Sequence, residues 1–222
     1  REDPLGVEVR ARLGATSGLS SEGVDLALAE CLETDVSPDD LARIVRRAGS
    51  AEATWIVASA NVCTAAARAI AVAVATSARV LVKPSRRDPV LAEILVRELS
   101  ADASFAAFGG TIALVSELAP APGDEVHAYG RDETIAKIAA SIPEGVVLRG
   151  HGAGFGIAVV EDDADVARAA MAIARDVVPF DQRGCLSPRV VLCGGSITRA
   201  TELDYEEGAL EQGYDGKNLL RL

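Results

Sequence analysis

Short apolar segments alternate with stretches of helical composition from about residue 54 onward. The apolar segments lie at 55–58, 80–82, 112–115, 146–148 and 157–160, and 189–193 is a further predicted strand that begins with Arg189. Strands that are apolar along their whole length are typical of a parallel sheet that helices cover on both faces. The alternation therefore predicts an α/β fold built from βαβ units.

The stretches between these segments predict the helices. They are expected at about 64–76, 91–99, 133–140 and 164–177, with a further short strand near Val126. Before residue 54 the sequence has helical patterns. Ser20 and Ser21 are candidate caps of one helix, and Ser37 followed by Pro38 predicts the start of another.

Charge and cysteine content exclude several classes of protein. The 222 residues carry 33 acidic and 22 basic side chains, a net charge of −11, without a basic stripe that could neutralise a phosphate backbone. We therefore expect no nucleic-acid partner. Four scattered cysteines and two histidines show neither the spacing of a structural metal site nor that of a disulfide framework.

The most apolar stretch of the chain, at 65–82, is interrupted by Arg68, Ser77 and Arg79 and consists largely of alanine. It is too weakly apolar for a membrane span and predicts a buried helix that leads into a strand. The amino end has no pattern of a secretory signal. We therefore expect a cytoplasmic location and reduced thiols.

Polar residues follow two of the predicted strands, at the edge where ligands of open α/β sheets bind. Asn61 follows the segment 55–58, and a basic group at 83–87 follows the segment 80–82. Asn61 alone is equally typical of a helix cap or a turn. The basic group could hold a sugar and a phosphate, or form a solvated turn.

A cysteine and a glycine-rich run are further candidates. Cys185 lies in "FDQRGCLSP", between a predicted helix and a predicted strand, and a lone cysteine there is either a nucleophile or a small buried apolar residue. The glycine-rich run at 150–156 does not fit G-x-G-x-x-G and leads into a strand instead of a helix. It indicates a turn, a close approach between backbones, or part of a site.

The order of these features resembles the aldehyde dehydrogenase superfamily. Within it, "HAYGRDETIAKI" at 127–138 and "FDQRGCLSP" at 180–188 are most similar to the acyl-CoA reductase branch, which contains the fatty acid reductase of bacterial bioluminescence. The resemblance covers about 54–192. It implies a Rossmann-like parallel sheet with flanking helices, and a homo-oligomer in the full-length protein.

The resemblance also implies a division of the chain. A helical segment at 1–53 would precede a dinucleotide-binding domain at 54–148, and residues 149–222 would begin a catalytic domain that is incomplete. Only about forty residues follow Cys185. If the chain were complete, a nucleotide-binding module without catalysis would be the alternative function.

Catalytic roles follow from the resemblance for three residues. The nucleophile of the family falls on Cys185, and the asparagine that stabilises the oxyanion falls on Asn61. His151 falls where aldehyde-oxidising members carry the glutamate that activates water for hydrolysis of the acyl-enzyme. The absence of that carboxylate favours hydride transfer over hydrolysis, although a histidine can itself act as a base.

Cofactor-binding roles follow for a second group. Lys83, with Ser85 after it, falls on the residues that bind the adenosine ribose, and Gly130 with Arg131 falls near the turn that faces the pyrophosphate. Arg86 stands where many oxidising members have an acid for the ribose 2′-hydroxyl. An arginine there can bind a 2′-phosphate, which indicates NADPH, with NADH also possible.

The implied reaction is the NADPH-dependent reduction of an acyl thioester to an aldehyde through an acyl-cysteine. The thioester partner would be acyl-CoA or an acyl carrier protein. NADP-dependent oxidation of an aldehyde is the nearer alternative.

Overall fold

The computed structural model describes residues 3–32, 37–48, 51–60, 62–152, 154–161, 163–184 and 187–193. Within them, the helices are α1 (Pro4–Thr16), α2 (Ser21–Glu30), α3 (Pro38–Ala48), α4 (Ala65–Thr76), α5 (Val90–Ala101), α6 (Ala103–Ala107), α7 (Asp132–Ser141) and α8 (Val166–Val177), and a 3-10 turn spans Val178–Phe180. The strands are β1 (Thr54–Val57), β2 (Arg79–Lys83), β3 (Thr111–Leu114), β4 (Glu125–Tyr129), β5 (Val147–His151), β6 (Gly156–Val160) and β7 (Pro188–Cys193).

The chain divides into two compact units. The first comprises Arg1–Gly18 and Leu32–Ala153, and the second comprises Leu19–Cys31 and Gly154–Leu222. Strands β1 to β5 therefore belong to the first unit, and β6 and β7 to the second. The domain boundaries expected from the sequence, after residues 53 and 148, stay a prediction.

The sheet of the first unit is parallel throughout, with the strand order β3-β2-β1-β4-β5. The chain runs outward from β1 through β2 to β3 and then returns to the other side of β1 for β4 and β5. This reversal creates a switch point between the carboxyl ends of β1 and β4, which is where open α/β sheets bind ligands. The predicted α/β fold with a parallel sheet is confirmed.

One face of this sheet packs against α4 and α5. Helix α4 buries Ala66, Ala69, Ile70 and Ala73, a spacing that places all four on one side of the helix. Together with apolar residues of β1, β2, β3 and α5 they form the core cluster of the unit. Because alanine is small, α4 can lie close to the sheet. The alanine-rich stretch is thus a buried helix that leads into β2, as predicted.

The opposite face of β4 and β5 packs against α7. A Cβ atom built on Gly150 of β5 would lie 2.8 Å from Cγ2 of Ile135 in α7, so only glycine allows this packing. Side chains alternate between the faces of a strand. His127 and His151, one position removed from the residues that face α7, therefore lie on the α4 face.

The predicted helix caps are present. The Ser20 side chain accepts a hydrogen bond from the Gly23 N–H at 2.9 Å, and the Ser37 hydroxyl accepts one from the Asp40 N–H at 3.1 Å. Each of these hydroxyls satisfies one of the amide donors that a helix start leaves unpaired.

In the second unit, β6 and β7 pair in parallel, and helix α8 contacts both strands. The register shifts after Gly156, which pairs with Pro188, whereas Ile157 pairs with Val190. Helix α2 contacts the 3-10 turn at Val178–Phe180. Asp165 caps α8 by accepting a hydrogen bond from the Arg168 N–H at 3.1 Å.

Three differences from the sequence-based expectations are local. Helix α1 and the short helix α6 were not predicted as separate elements. The short strand expected near Val126 is a full strand of five residues, because it pairs with both β1 and β5. Strand β5 continues to His151, so Gly150 and His151 belong to a strand instead of the predicted glycine-rich turn.

No helix in the described part of the chain is long and apolar enough to cross a membrane.

Candidate active site at the carboxyl edge of the sheet

Residues at the carboxyl ends of the strands give the first unit its candidate site. Strand β1 ends at Val57, and the chain then runs toward Asn61, which lies outside the described residues. On the other side of the switch point, β4 ends at Tyr129 and is followed by Gly130 and Arg131, just before α7. The structure therefore describes the β4 side of the switch point, and the role of Asn61 stays a prediction.

Lys83 is the last residue of β2. Its Nζ donates a hydrogen bond to the backbone carbonyl of Ser116, in the segment that follows β3. Ser85 accepts a hydrogen bond from the Arg87 N–H at 3.2 Å, which closes a small turn. Arg86 and Arg87 are exposed at this edge. The basic group of the sequence thus lies beyond the carboxyl end of a buried strand, as expected.

Gly130 and Arg131 form the entry to α7. Gly130 donates its N–H to the carbonyl of His151 at 3.2 Å, which joins the ends of β4 and β5. A Cβ atom built on Gly130 would make ordinary van der Waals contact with the Thr134 side chain, at 3.9 Å, and would clash with nothing. The first turn of α7 carries Asp132 and Glu133, whose charges favour the positive end of the helix dipole.

His151 lies at the end of β5 beside two aromatic rings. It stacks on Tyr129 with ring centroids 4.2 Å apart, and on His127 with centroids 5.5 Å apart. Partial desolvation lowers the pKa of His151, which is otherwise exposed, and electrostatic interactions with His127 and Arg149 lower it further. The imidazole is therefore held in its neutral form, which can accept a proton.

Glu125, His127 and Arg149 form a charged cluster on the same face of the sheet as His151. His127 Nε2 is 2.7 Å from Glu125 Oε1, and the Arg149 guanidinium also contacts this carboxylate. The Glu125 side chain is only 11% exposed, whereas that of Arg149 is 50% exposed. Neither Glu125 nor His127 was predicted as a site residue. Their alternation with Tyr129 along β4 is the sequence signal that could have placed them on one face.

In the second unit, the predicted nucleophile Cys185 and its neighbour Leu186 lie outside the described residues. The residues before it are described. Asp181 and Gln182 have positive φ angles of 45° and 60°, an uncommon backbone region for residues other than glycine. Asp181 accepts a hydrogen bond from the Ser20 N–H at 3.3 Å, before the start of α2.

Ser187, the next described residue after Gly184, is fixed by hydrogen bonds. Ser187 is 2% exposed and donates its hydroxyl to the Asp176 carbonyl of α8 at 2.8 Å. Its N–H donates to the carbonyl of Gly184 at 3.2 Å. Ser187 is therefore fixed both to α8 and to Gly184.

The site residues of the first unit come together in two groups. Gly130 and Arg131 lie next to His151 through the Gly130 hydrogen bond. Lys83, Ser85 and Arg86 lie at the end of β2, which β1 separates from β4. Two strand spacings, about 10 Å, therefore separate the two groups.

Comparison with solved structures shows the class of protein to which this fold belongs. A benzaldehyde dehydrogenase from Corynebacterium glutamicum matches 97% of this chain and 50% of its own, at 16% identity and a TM-score of 0.64. A glyceraldehyde-3-phosphate dehydrogenase from Methanocaldococcus jannaschii, complexed with NADP, matches 93% and 48%, at 14% identity and a TM-score of 0.61. The chain thus has an aldehyde dehydrogenase-like fold and spans about half the length of these proteins.

A third structure is similar over a shorter part. A propionaldehyde dehydrogenase from Rhodopseudomonas palustris with bound propionyl-CoA matches 74% of this chain and 37% of its own, at 16% identity and a TM-score of 0.51. A comparison with curated protein sequences gives no match.

The family model for acyl-CoA reductase (LuxC) matches residues 46–208. The chain belongs to this family. The resemblance inferred from the sequence motifs is confirmed.

Proposed function

We propose that this chain provides the cofactor-binding region and the nucleophile of an enzyme that reduces an acyl thioester to an aldehyde. The observation that carries this proposal is the acyl-CoA reductase match over residues 46–208. The match includes every residue to which a role was assigned, from Asn61 to Cys185. The thioester would be an acyl-CoA or an acyl carrier protein.

Cys185 would take the acyl group. Its thiol loses a proton, the thiolate attacks the thioester carbonyl, and the bond to the CoA sulfur breaks, leaving an acyl-cysteine. The CoA thiolate takes up a proton as it leaves. Asn61 would donate a hydrogen bond to the carbonyl oxygen while that oxygen is negative.

Burial makes two of the other thiols, those of Cys31 and Cys63, less suited to this step. Cys31 is half-buried, and burial raises the pKa of its thiol, as do the negative charges of Glu30 and Asp176. A raised pKa leaves less of the reactive thiolate at neutral pH. Cys193 is exposed in β7, which makes it the matched control for Cys185.

The carboxyl edge of the first unit suits a nicotinamide dinucleotide. Lys83 offers an ammonium at the end of β2, and Gly130 leads into the start of α7, a kind of position where phosphate groups bind. Arg131 adds a cation there, although Asp132 and Glu133 in the same turn oppose an anion. When bound, NADPH supplies hydride to the acyl carbon.

The exposed arginines at this edge favour NADPH over NADH. Arg86 and Arg87 follow Lys83 and Ser85 directly, where they can meet a phosphate on the adenosine ribose. A guanidinium matches the geometry of a phosphate better than an ammonium does.

His151 supports the reductive direction. A carboxylate base at this position would activate water and release the acyl group as an acid, whereas His151 carries no such charge. After hydride transfer, the thiohemiacetal oxyanion collapses, the bond to Cys185 breaks, and the aldehyde leaves with the thiolate restored. NADP-dependent aldehyde oxidation is the second candidate. It is supported by the aldehyde dehydrogenase-like fold, and by a His151 held neutral and able to act as a base.

Acylation of individual cysteines tests the proposal. The chain would be incubated with an acyl-CoA, and adducts would be located by peptide mass spectrometry in the wild type, Cys185→Ala and Cys193→Ala. We expect an adduct on Cys185 in the wild type and in Cys193→Ala, and none in Cys185→Ala. An adduct that persists in Cys185→Ala contradicts the assignment of the nucleophile. No adduct in any variant would leave the nucleotide-binding module as the better account.

We also propose a homo-oligomer and a cytoplasmic location for the full-length protein. The homo-oligomer follows from the family resemblance, and the location stays the expectation drawn from the sequence.

A further inference from the structure

Five side chains of β4 and β5 share one face of the sheet in the first unit. Glu125, His127 and Tyr129 alternate along β4, and Arg149 and His151 alternate along β5. The register places His127 opposite Arg149 and Tyr129 opposite His151. Two pairs are diagonal neighbours across the strands: Glu125 with Arg149, and His127 with His151. Long or aromatic side chains at such positions can contact each other.

The hydrogen bonds within this group fix the position of each proton. A carboxylate only accepts, so His127 Nε2, 2.7 Å from Glu125 Oε1, must donate. A neutral His127 then carries its lone pair on Nδ1. His151 Nε2 lies 3.2 Å from this atom and must therefore carry a proton and donate it.

The same reasoning leaves Nδ1 of His151, at the end of the group away from Glu125, as an atom that can accept a proton. Since the Nε2 of a neutral His151 carries the proton, its lone pair is on Nδ1. Among the described residues, no group hydrogen bonds to His151 Nδ1. His151 is exposed, whereas the side chain of His127 is 20% exposed and lies between His151 and the carboxylate.

The charged neighbours of the two histidines differ in sign. Glu125 contacts His127 directly, so a positive His127 would face a carboxylate. A positive charge on His151 would be repelled by Arg149 and by a charged His127. Two further charged groups of the described residues lie close to this face: Arg68 of α4, which acts on Tyr129, and Asp132 of α7, which lies against the backbone of Gly152.

We propose that Glu125, His127 and His151 form a proton relay that takes up a proton at His151 Nδ1 and stores it on His127. The step is balanced. A bond forms between the incoming proton and His151 Nδ1, while the His151 Nε2 proton moves to His127 Nδ1. His151 ends neutral with its proton on Nδ1, and His127 ends as an imidazolium hydrogen-bonded to Glu125.

This relay rests on the proposed function for its role in the reaction. Within the proposed function, His151 Nδ1 would be the atom of this group that takes up and returns a proton during the reaction. Glu125 and His127 are then positioning residues that act through His151. If the stacking of His127 and His151 were only structural, proton uptake would not be expected to change the tautomer of His151.

Nuclear magnetic resonance of the two imidazoles tests the relay. The chain contains only two histidines, so labelling histidine with 15N yields the signals of His127 and His151 alone. Either His127→Gln or His151→Gln suffices to assign them. Spectra of the full 222-residue chain would be recorded as the pH is lowered through uptake of one proton.

The relay predicts a specific change. Before proton uptake both rings carry Nε2–H. Afterwards, His127 carries both protons and His151 has switched to Nδ1–H, with the Nδ1–H form in at least about fivefold excess, as expected for one net hydrogen bond. A proton added first to His151, or a His151 tautomer that does not switch, overturns the relay.

Two variants separate the relay from simple stacking. Glu125→Gln keeps the shape but removes the charge that holds the stored proton, so the switch should be lost. Tyr129→Phe keeps the ring that stacks on His151, so the switch should remain. A switch that survives in Glu125→Gln overturns the proposal.

Acylation of Cys185, measured on the same samples, distinguishes the relay from the proposed function. A tautomer switch without acylation supports the relay and removes the proposed function. Acylation without a switch overturns the relay and leaves the proposed function intact.

Discussion

Gly156 is the glycine whose replacement tests the structure of the second unit most sharply. It begins β6, and a Cβ atom built on it would lie 2.8 Å from the Ser187 carbonyl oxygen and 3.1 Å from Pro188 Cα. Both are backbone atoms of the neighbouring segment, which cannot rotate away as a side chain can. In Gly156→Ala, β6 and β7 must therefore separate by a few tenths of an ångström.

The expected cost is that of overpacking a closely packed site, roughly 1–3 kcal/mol. Gly154→Ala is the matched control in the same glycine-rich run, since a Cβ there meets nothing within 4 Å. Neither glycine has a positive φ angle, so alanine is compatible with both backbones. We expect Gly154→Ala to change the free energy of unfolding by no more than about 0.5 kcal/mol.

The assay is hydrogen exchange of the β6 and β7 amides, supported by urea denaturation. A chain of two units need not unfold in one transition, and local exchange reports the strand pair directly. Faster exchange in Gly156→Ala, with unchanged exchange in Gly154→Ala, is the predicted result. Equal protection in the two variants would refute the inference that the backbones approach too closely for a side chain.

The remaining predictions concern the cofactor and the direction of the reaction. Arg86→Glu should weaken NADPH binding about tenfold to a hundredfold more than NADH binding, as calorimetric titration would measure. The control Arg79→Glu, at the other end of β2, should change the affinity for neither cofactor. If Arg86→Glu weakened the binding of both cofactors equally, the basic group would be a solvated turn. His151→Glu should speed hydrolysis of acyl-Cys185 without NADPH by about 10²- to 10⁴-fold, followed by mass spectrometry. Rapid hydrolysis already in the wild type would instead favour His151 as the base of an oxidising enzyme.

The strands and helices of the sheet could be predicted because each carries its own local signal. Trp55 to Val57 and Val80 to Val82 are apolar on both faces, Ser20 and Ser37 cap helices, and α4 repeats alanine at helical spacing. Such patterns depend only on neighbouring residues. They therefore predicted the α/β class and the order of most of its elements.

The cluster around His151 could not be predicted in the same way. It depends on the register between β4 and β5, which joins residues 24 positions apart, such as His127 with His151. The sequence placed His151 in a glycine-rich turn, because Gly150 beside it is rare inside a strand. The reason for that glycine, the close packing of Ile135, becomes visible only when α7 is in place.

The packing of α2 is a further example of what the sequence does not contain. Its cap and apolar residues predict a helix but not its partner. The structure joins it to the second unit through Asp181 and the turn at Val178–Phe180, about 160 residues away in the chain. Contacts at such separations leave no short-range pattern.

The most direct measurement of the central claim is the fate of the acyl group on Cys185. The chain would be loaded with an acyl-CoA, freed of excess thioester, and then given NADPH while aldehyde, acid and oxidised cofactor are quantified. The account predicts one aldehyde and one oxidised cofactor for each acyl-cysteine consumed. Release of the acid without oxidation of NADPH would contradict it.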